Sequence, residues 1–368
     1  MKDDVFHSIE AEGIRAVLDL RVGHVRSLEI THGARTIRPL HTAPWVDDPQ
    51  VTEDAAMPGN LRFLSGDFFC APFGGSDLDD GPPHGWPANS PWKVVGSTRA
   101  DDRTVARYEL ARPILGARLV KEFTLRDGHP FLYERHIFVG GDGAVPVANH
   151  GMTRFDAPGR VSFSPKLFGE TPGTALEPDA RLGRSRLRYP ARFTDVAKAP
   201  LADGGFADLT HYPIAENHED FVSLIEDPRN PLGWAAALRP DRGDLFLSLK
   251  NPKDYPITMM WFSNGGRDYA PWNGRHRGVL GLEEGRTYAG NGHKASIAEN
   301  EWARQGIPTA LHLSPEGSVE VRNVIGGAPI LEGWSSVASI SAARDRLTIQ
   351  DTGGGNQHFR FDAAFLTR

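Results

Sequence analysis

Apolar and polar side chains alternate in short runs along nearly the whole chain, and this two-residue period is what most constrains the fold. "IRAVLDLRVGHVRSLEI", "TVARYELA", "ARLVKEFTLR", "FLYERHIFV", "DLFLSLK", "ITMMWFS", "TALHLS" and "SVEVRNV" all follow it, and Gly, Pro, Asp and Asn clusters separate them. Such runs read as half-buried strands, and the clusters as turns. The 40 glycines and 28 prolines supply those turns. "EFTLRDGHPFLYERHIFV" predicts a hairpin around Asp127-Gly128, and "LTIQD" and "FRFDAAFLT" predict two closing strands. A 3.6-residue period holds only in "ASIAENEWARQG" (295–306), a predicted short helix. The irregular, polar "ETPGTALEPDARLGRSRLRYP" reads as a long surface excursion. There is no fixed-period repeat, no glycine-rich phosphate loop opening a helix and no βαβ rhythm. The expectation is an all-β chain, one domain over residues 1–368, built as a sandwich of large antiparallel sheets.

A formal net charge of −6 argues against nucleic acid or an anionic membrane as the main partner. Cys70 is the single cysteine, so no intramolecular disulfide can form. The acidic start "MKDDVFHSIEAEG" has no apolar core of a signal peptide, and no apolar run approaches the roughly 20 residues that span a bilayer. A soluble, cytoplasmic monomer or homodimer is expected.

Chemistry concentrates in three segments. "APFGGSDLDDGPPHGWPANSPWKVV" (71–95) sets His84 among turn formers beside Trp86 and Trp92. "VPVANHGMTRF" carries His150, and "HRGVLGLEEGRTY" carries Glu283 and Glu284, preceded by Trp261, Tyr269 and Trp272. Two imidazoles and a carboxylate suffice for proton shuttling. Apolar walls would lift a carboxyl from its ordinary pKa of about 4.3 toward the working pH. Aromatic faces suit the C–H faces of sugar rings. Against this, one of 14 histidines in a strand-rich chain is more often a surface or core-edge residue, and tryptophans are more often core. His32 with His41, or His211 with His218, lacks metal-ligand spacing, so no catalytic metal is expected. The acids of "DLDDG" lack the calcium-loop pattern and read as a solvated turn. No Gly-x-Ser-x-Gly elbow occurs.

In order and type, "FFCAPFGG…PPHGWPANSPWKV", "VPVANHGMTRF" and "VLGLEEG" resemble the two histidine segments and the glutamate segment of the aldose 1-epimerase (galactose mutarotase-like) superfamily. The first is nearest to the hexose-6-phosphate mutarotase branch. The resemblance implies a β-supersandwich with a carbohydrate site on one sheet face and no cofactor. It implies Glu283 as the base at the anomeric hydroxyl, His150 as the acid at the ring oxygen, and His84 as the residue that binds and polarises the sugar. Asn89, Asn149, Trp86, Trp261 and Trp272 are implied around the substrate. Glu284 stands where the family has proline, which makes it the alternative base. Ala88 and Asp67 stand at or near positions where the phosphosugar branch has arginines. Guanidinium is the usual grip on phosphate, so an unphosphorylated carbohydrate is expected, with Arg62 as the arginine that could compensate. The resemblance also leaves two other functions open on this fold: a non-catalytic carbohydrate-binding or sensing protein, and a lyase or hydrolase acting on oligosaccharide.

Overall fold

The computed structural model describes residues 5–367. Its alternating segments pair into a seven-stranded and a nine-stranded antiparallel sheet packed face to face. In the nine-stranded sheet, Arg118–Arg126 and Phe131–Val139 form the hairpin read from Asp127-Gly128, with Leu125 opposite Leu132. The seven-stranded sheet carries the site. Its central strands are His218–Glu226, Ile257–Asn264, Val279–Arg286 and Val147–Arg154, and the two-residue strand Phe69–Cys70 closes one edge. These central strands are buried almost throughout, so both faces of this sheet are covered.

Three hydrophobic clusters follow from that layering. Leu280, Leu282, Val222 and Leu224 face the nine-stranded sheet and meet Phe246, Leu119 and Phe138 between the two. Met152, Met259, Phe68 and Trp261 point the other way, under loops that bring Trp45, Phe73 and Trp272. The far side of the nine-stranded sheet is covered by the closing strands Val337–Ala343, Arg346–Asp351 and Asn356–Arg360, around Leu347 and Ile349.

The helix expected over 295–306 is two short ones, Gly292–Ile297 and Glu301–Arg304. Asn300 interrupts it, because its side chain accepts from the Ala303 N–H and starts the second helix. The 170–190 segment is more than a surface excursion. Leu176 reaches a cavity on the seven-stranded sheet, and Glu177 pairs with Arg267 beside it. No helix among the described residues is long and apolar enough to cross a membrane.

Candidate active site

A cavity of about 480 Å³ opens on the loop-covered face of the seven-stranded sheet. Strand alternation decides what reaches it. On Val147–Arg154, His150 points into the cavity; on Val279–Arg286, its direct cross-strand partner Glu283 does the same. The His150 Nε2 lies 3.1 Å from Glu283 Oε1, and both side chains are almost wholly buried. Gly281 makes room for this carboxylate, since a Cβ there would sit 2.7 Å from Glu283 Oε1.

His84 arrives from a loop. Its own φ is 64° and that of Gly85 is 70°, so two successive residues take the left-handed conformation. Gly85 is obligatory in this path, because a Cβ would lie 2.0 Å from the Ala71 carbonyl oxygen. The Asn89 side chain holds the turn by donating to the Pro83 and Gly85 carbonyls and accepting from the Asn60 N–H. The His84 ring then stands perpendicular to His150, with centroids 5.2 Å apart. Phe68 stacks on His150 at 4.4 Å, meets His84 edge-on at 5.7 Å and is itself stacked on His24 at 4.3 Å. Trp261 meets His150 edge-on. Trp272, Phe73, Phe221 and Tyr288 complete an aromatic wall.

Burial sets the protonation of these groups. It pushes the Glu283 carboxyl well above the carboxylate range, with Asp67 and Glu284 adding repulsion, and pushes His150 well below the usual imidazole value. The pair is therefore poised to hold one proton between two groups over a wide pH range. Burial, helped by Arg267, lowers His84 to about 4, so its ring is neutral at pH 7.

Arg267 is the one Lys or Arg side chain lining the cavity among the described residues. Two carboxylates hold it: its Nε donates to Glu177 Oε1 at 2.8 Å, its Nη1 lies 3.2 Å from Glu219 Oε1, and its guanidinium covers the Trp272 ring at 4.5 Å. Glu219, raised to about 7 by burial, also accepts from Trp261 Nε1 at 3.0 Å. Across the rim, Asp77 ties its loop to the Lys294 N–H at 2.8 Å.

Of the residues expected around a ligand, His84, His150, Glu283, Trp261 and Trp272 meet here. The others do not line the cavity, and each has a physical reason. Glu284 projects to the opposite face of its strand, where it forms an ion pair with Lys250 and accepts from Thr258 Oγ1. Asn149 likewise faces inward; its Nδ2 donates to Asp67 and Glu134 and its Oδ1 accepts from Tyr255. Asp67 lies in that same inner layer, fully buried. Asn89 is consumed by the loop, Trp86 packs under the Arg112 guanidinium, and Arg62 donates to the Thr52 carbonyl and covers Phe63. Sequence reasoning missed Arg267 and Tyr288 and read Asp77 as part of a solvated turn, although Asp77 and Tyr288 lie inside the segments it singled out. No group of three or more His, Cys, Asp or Glu side chains that could hold a metal ion occurs among the described residues.

No protein-family model matches the chain, and no curated protein sequence matches it. Solved structures do. A galactose mutarotase-like protein from Clostridium acetobutylicum superposes with a TM-score of 0.56 at 13% identity, over 88% of this chain and 95% of that one. One from Lactobacillus casei gives 0.54 at 12% identity, over 88% and 100%. A galactose mutarotase related enzyme from Lactobacillus acidophilus gives 0.51 at 12% identity, over 89% and 98%. The chain therefore shares the fold of these structures.

Proposed function

We propose that the cavity binds a free sugar and interconverts its anomers by acid/base ring opening. The observation that carries this reading is the His150–Glu283 contact of 3.1 Å on the cavity floor, with the perpendicular His84 ring beside it. Mutarotation moves one proton off the anomeric hydroxyl and one onto the ring oxygen, so it needs a base and an acid that together hold one proton. Glu283 takes the hydroxyl proton as carboxylate. His150 delivers its proton to the ring oxygen, and the C1–O5 bond breaks to give the open-chain aldehyde. Rotation about C1–C2 and reclosure with reversed roles give the other anomer, and the pair is left with its single proton. A sugar hydroxyl entering between the two groups replaces their mutual contact and stabilises the ionic arrangement that burial alone disfavours.

The aromatic wall supports a carbohydrate ligand, since Trp261 and Trp272 present apolar faces beside polar edges. The charges support an unphosphorylated one. Arg267 is already paired with two carboxyl groups and Asp77 lies on the rim, so a phosphate would meet a guanidinium whose charge is compensated and a carboxylate that repels it. The structural neighbours named as mutarotase-like agree with this chemistry. The test is anomer exchange followed by NMR across a panel of free and phosphorylated hexoses. Exchange of free sugars abolished in Glu283→Gln supports the reading. Sugar binding by calorimetry without exchange would instead assign the cavity to carbohydrate binding alone.

A further inference from the structure

Cys70 ends the edge strand Phe69–Cys70, opposite Ala148, with its side chain on the cavity side of the sheet and no exposure to solvent. Its Sγ lies 3.4 Å from His84 Nδ1. Among the described residues, no other hydrogen-bond partner of that nitrogen is seen. The His84 backbone is fixed independently, by its N–H to the Gly74 carbonyl at 2.7 Å and by the Gly85 N–H to the Pro82 carbonyl at 2.9 Å. The ring therefore presents Nδ1 to a sulfur on one side, while the residue lines the cavity.

A neutral imidazole carries one N–H, and which nitrogen holds it is set by the partner of the other. Burial pushes the Cys70 thiol well above its ordinary value, with Glu283 and Asp67 adding negative charge nearby, so the sulfur keeps its proton. A protonated thiol is a weak donor and a weaker acceptor, whereas an unprotonated imidazole nitrogen is a good acceptor. S–H to Nδ1 is thus the better of the two possible arrangements, and it places the ring proton on Nε2.

We infer that Cys70 is a positioning residue that locks His84 in its Nε2–H tautomer, so that His84 meets the ligand in the cavity as a neutral hydrogen-bond donor. This deepens the proposed function and rests on it for the word ligand, but the tautomer itself does not depend on any activity. A donor from His84 complements the one-proton pair beside it: a sugar oxygen gaining electron density accepts from His84 while Glu283 and His150 exchange protons with its neighbours. The thiol adds no charge to the site, so His84 can donate without repelling a protonated His150 at 5.2 Å.

The test is long-range 1H–15N NMR on the full chain labelled with 15N-histidine, at pH 7, with His84→Gln to assign the signal. The expected spectrum shows His84 with a protonated Nε2 and an unprotonated Nδ1, the preference exceeding that of a free imidazole side chain, which already favours Nε2–H, by about fivefold, as one weak hydrogen bond would add. Cys70→Ser keeps that pattern, because the hydroxyl is also a donor. Cys70→Ala falls back toward the ratio of a free imidazole side chain. In the exchange assay, Cys70→Ala lowers kcat several-fold with KM little changed, and Cys70→Ser restores kcat. An Nδ1–H tautomer in the unmutated protein, or a tautomer ratio unchanged in Cys70→Ala, overturns the inference even where exchange is observed. If exchange is absent but the tautomer responds as stated, the reaction assignment fails and the role of Cys70 stands.

Discussion

The two faces of the seven-stranded sheet treat the same residue types in opposite ways. Glu283 and Glu284 are consecutive, as are Asn149 and His150, and strand alternation sends each neighbour to the other side. On the inner face, Glu284 meets Lys250, and Lys250 also lies 3.2 Å from Glu226, which pairs with Lys166. Each of these four groups has an opposite charge and a Thr258 or Ser164 hydroxyl in reach. On the cavity face, Glu283 has only a neutral imidazole, and neither of its oxygens has a well-formed hydrogen bond within the protein. A compensated buried carboxylate is structural, and an uncompensated one beside a cavity has a pKa free to be used. Glu284 is thus a structural charge, and its neighbour Glu283 is the carboxyl proposed as the reagent.

The sharpest break of that comparison is a double dissociation. Glu283→Gln should lower anomer exchange by about 10²–10⁴-fold, the usual range for loss of a general acid–base group, while leaving the urea midpoint nearly unchanged. Glu284→Gln should leave exchange per folded molecule within a few-fold and cost about 1.5–3 kcal/mol of stability, because it removes one of the two carboxylates that compensate the buried Lys250 ammonium. In the proposed reaction Glu283 and His150 act as one unit, so adding His150→Gln to Glu283→Gln should cost almost nothing further. Exchange lost in Glu284→Gln and kept in Glu283→Gln would reverse the assignment of the two faces.

The pH response divides along the same line. On the cavity side, burial holds His24 and His41 at about 3, far below the value of a free imidazole. Below pH 6.5 the unfolded chain takes up protons that these folded residues refuse, so stability falls as pH drops, by about 2 kcal/mol per histidine at pH 5. Asp67 on the inner face, raised to about 6, works the other way, because its folded form binds a proton that the unfolded carboxyl releases. Histidines outnumber such acids, so the urea midpoint is expected to fall between pH 7 and pH 5. Exchange should follow a bell with a broad plateau across neutrality. Its acid limb reflects a second proton on the His150–Glu283 pair and starts well below 6.5; its alkaline limb reflects loss of the only proton. A narrow bell centred between ordinary Glu and His values would show that the pair is wet and unperturbed.

Much of this was legible in the chain. The two-residue period announced the sheets, and three separated motifs announced His84, His150 and Glu283. Parity was the hidden variable. Asn149, Asp67 and Glu284 lie beside the right residues in sequence and on the wrong side of the sheet, and only a fixed register tells the sides apart. The charged inner layer was also hidden: Lys250 sits at the end of "DLFLSLK", where a lysine reads as solvated, and its partners are brought by other strands. Arg267 and Asp77 come from loops, whose paths carry no period to read.

The smallest effects test the comparison within one strand. Trp261 and Thr258 both lie on Ile257–Asn264, three residues apart and therefore on opposite faces. Trp261 donates to Glu219 and forms part of the cavity wall; Thr258 bridges Lys250 and Glu284. Trp261→Phe keeps an aromatic face and deletes one hydrogen bond, so its cost should be about 1 kcal/mol in sugar affinity, read as a several-fold rise in KM with kcat little changed. Thr258→Val should cost a similar amount in stability, measured by urea unfolding, with no change in KM. If Thr258→Val alters KM as much as Trp261→Phe does, the two faces are coupled through the sheet, and Glu284 belongs to the chemistry after all.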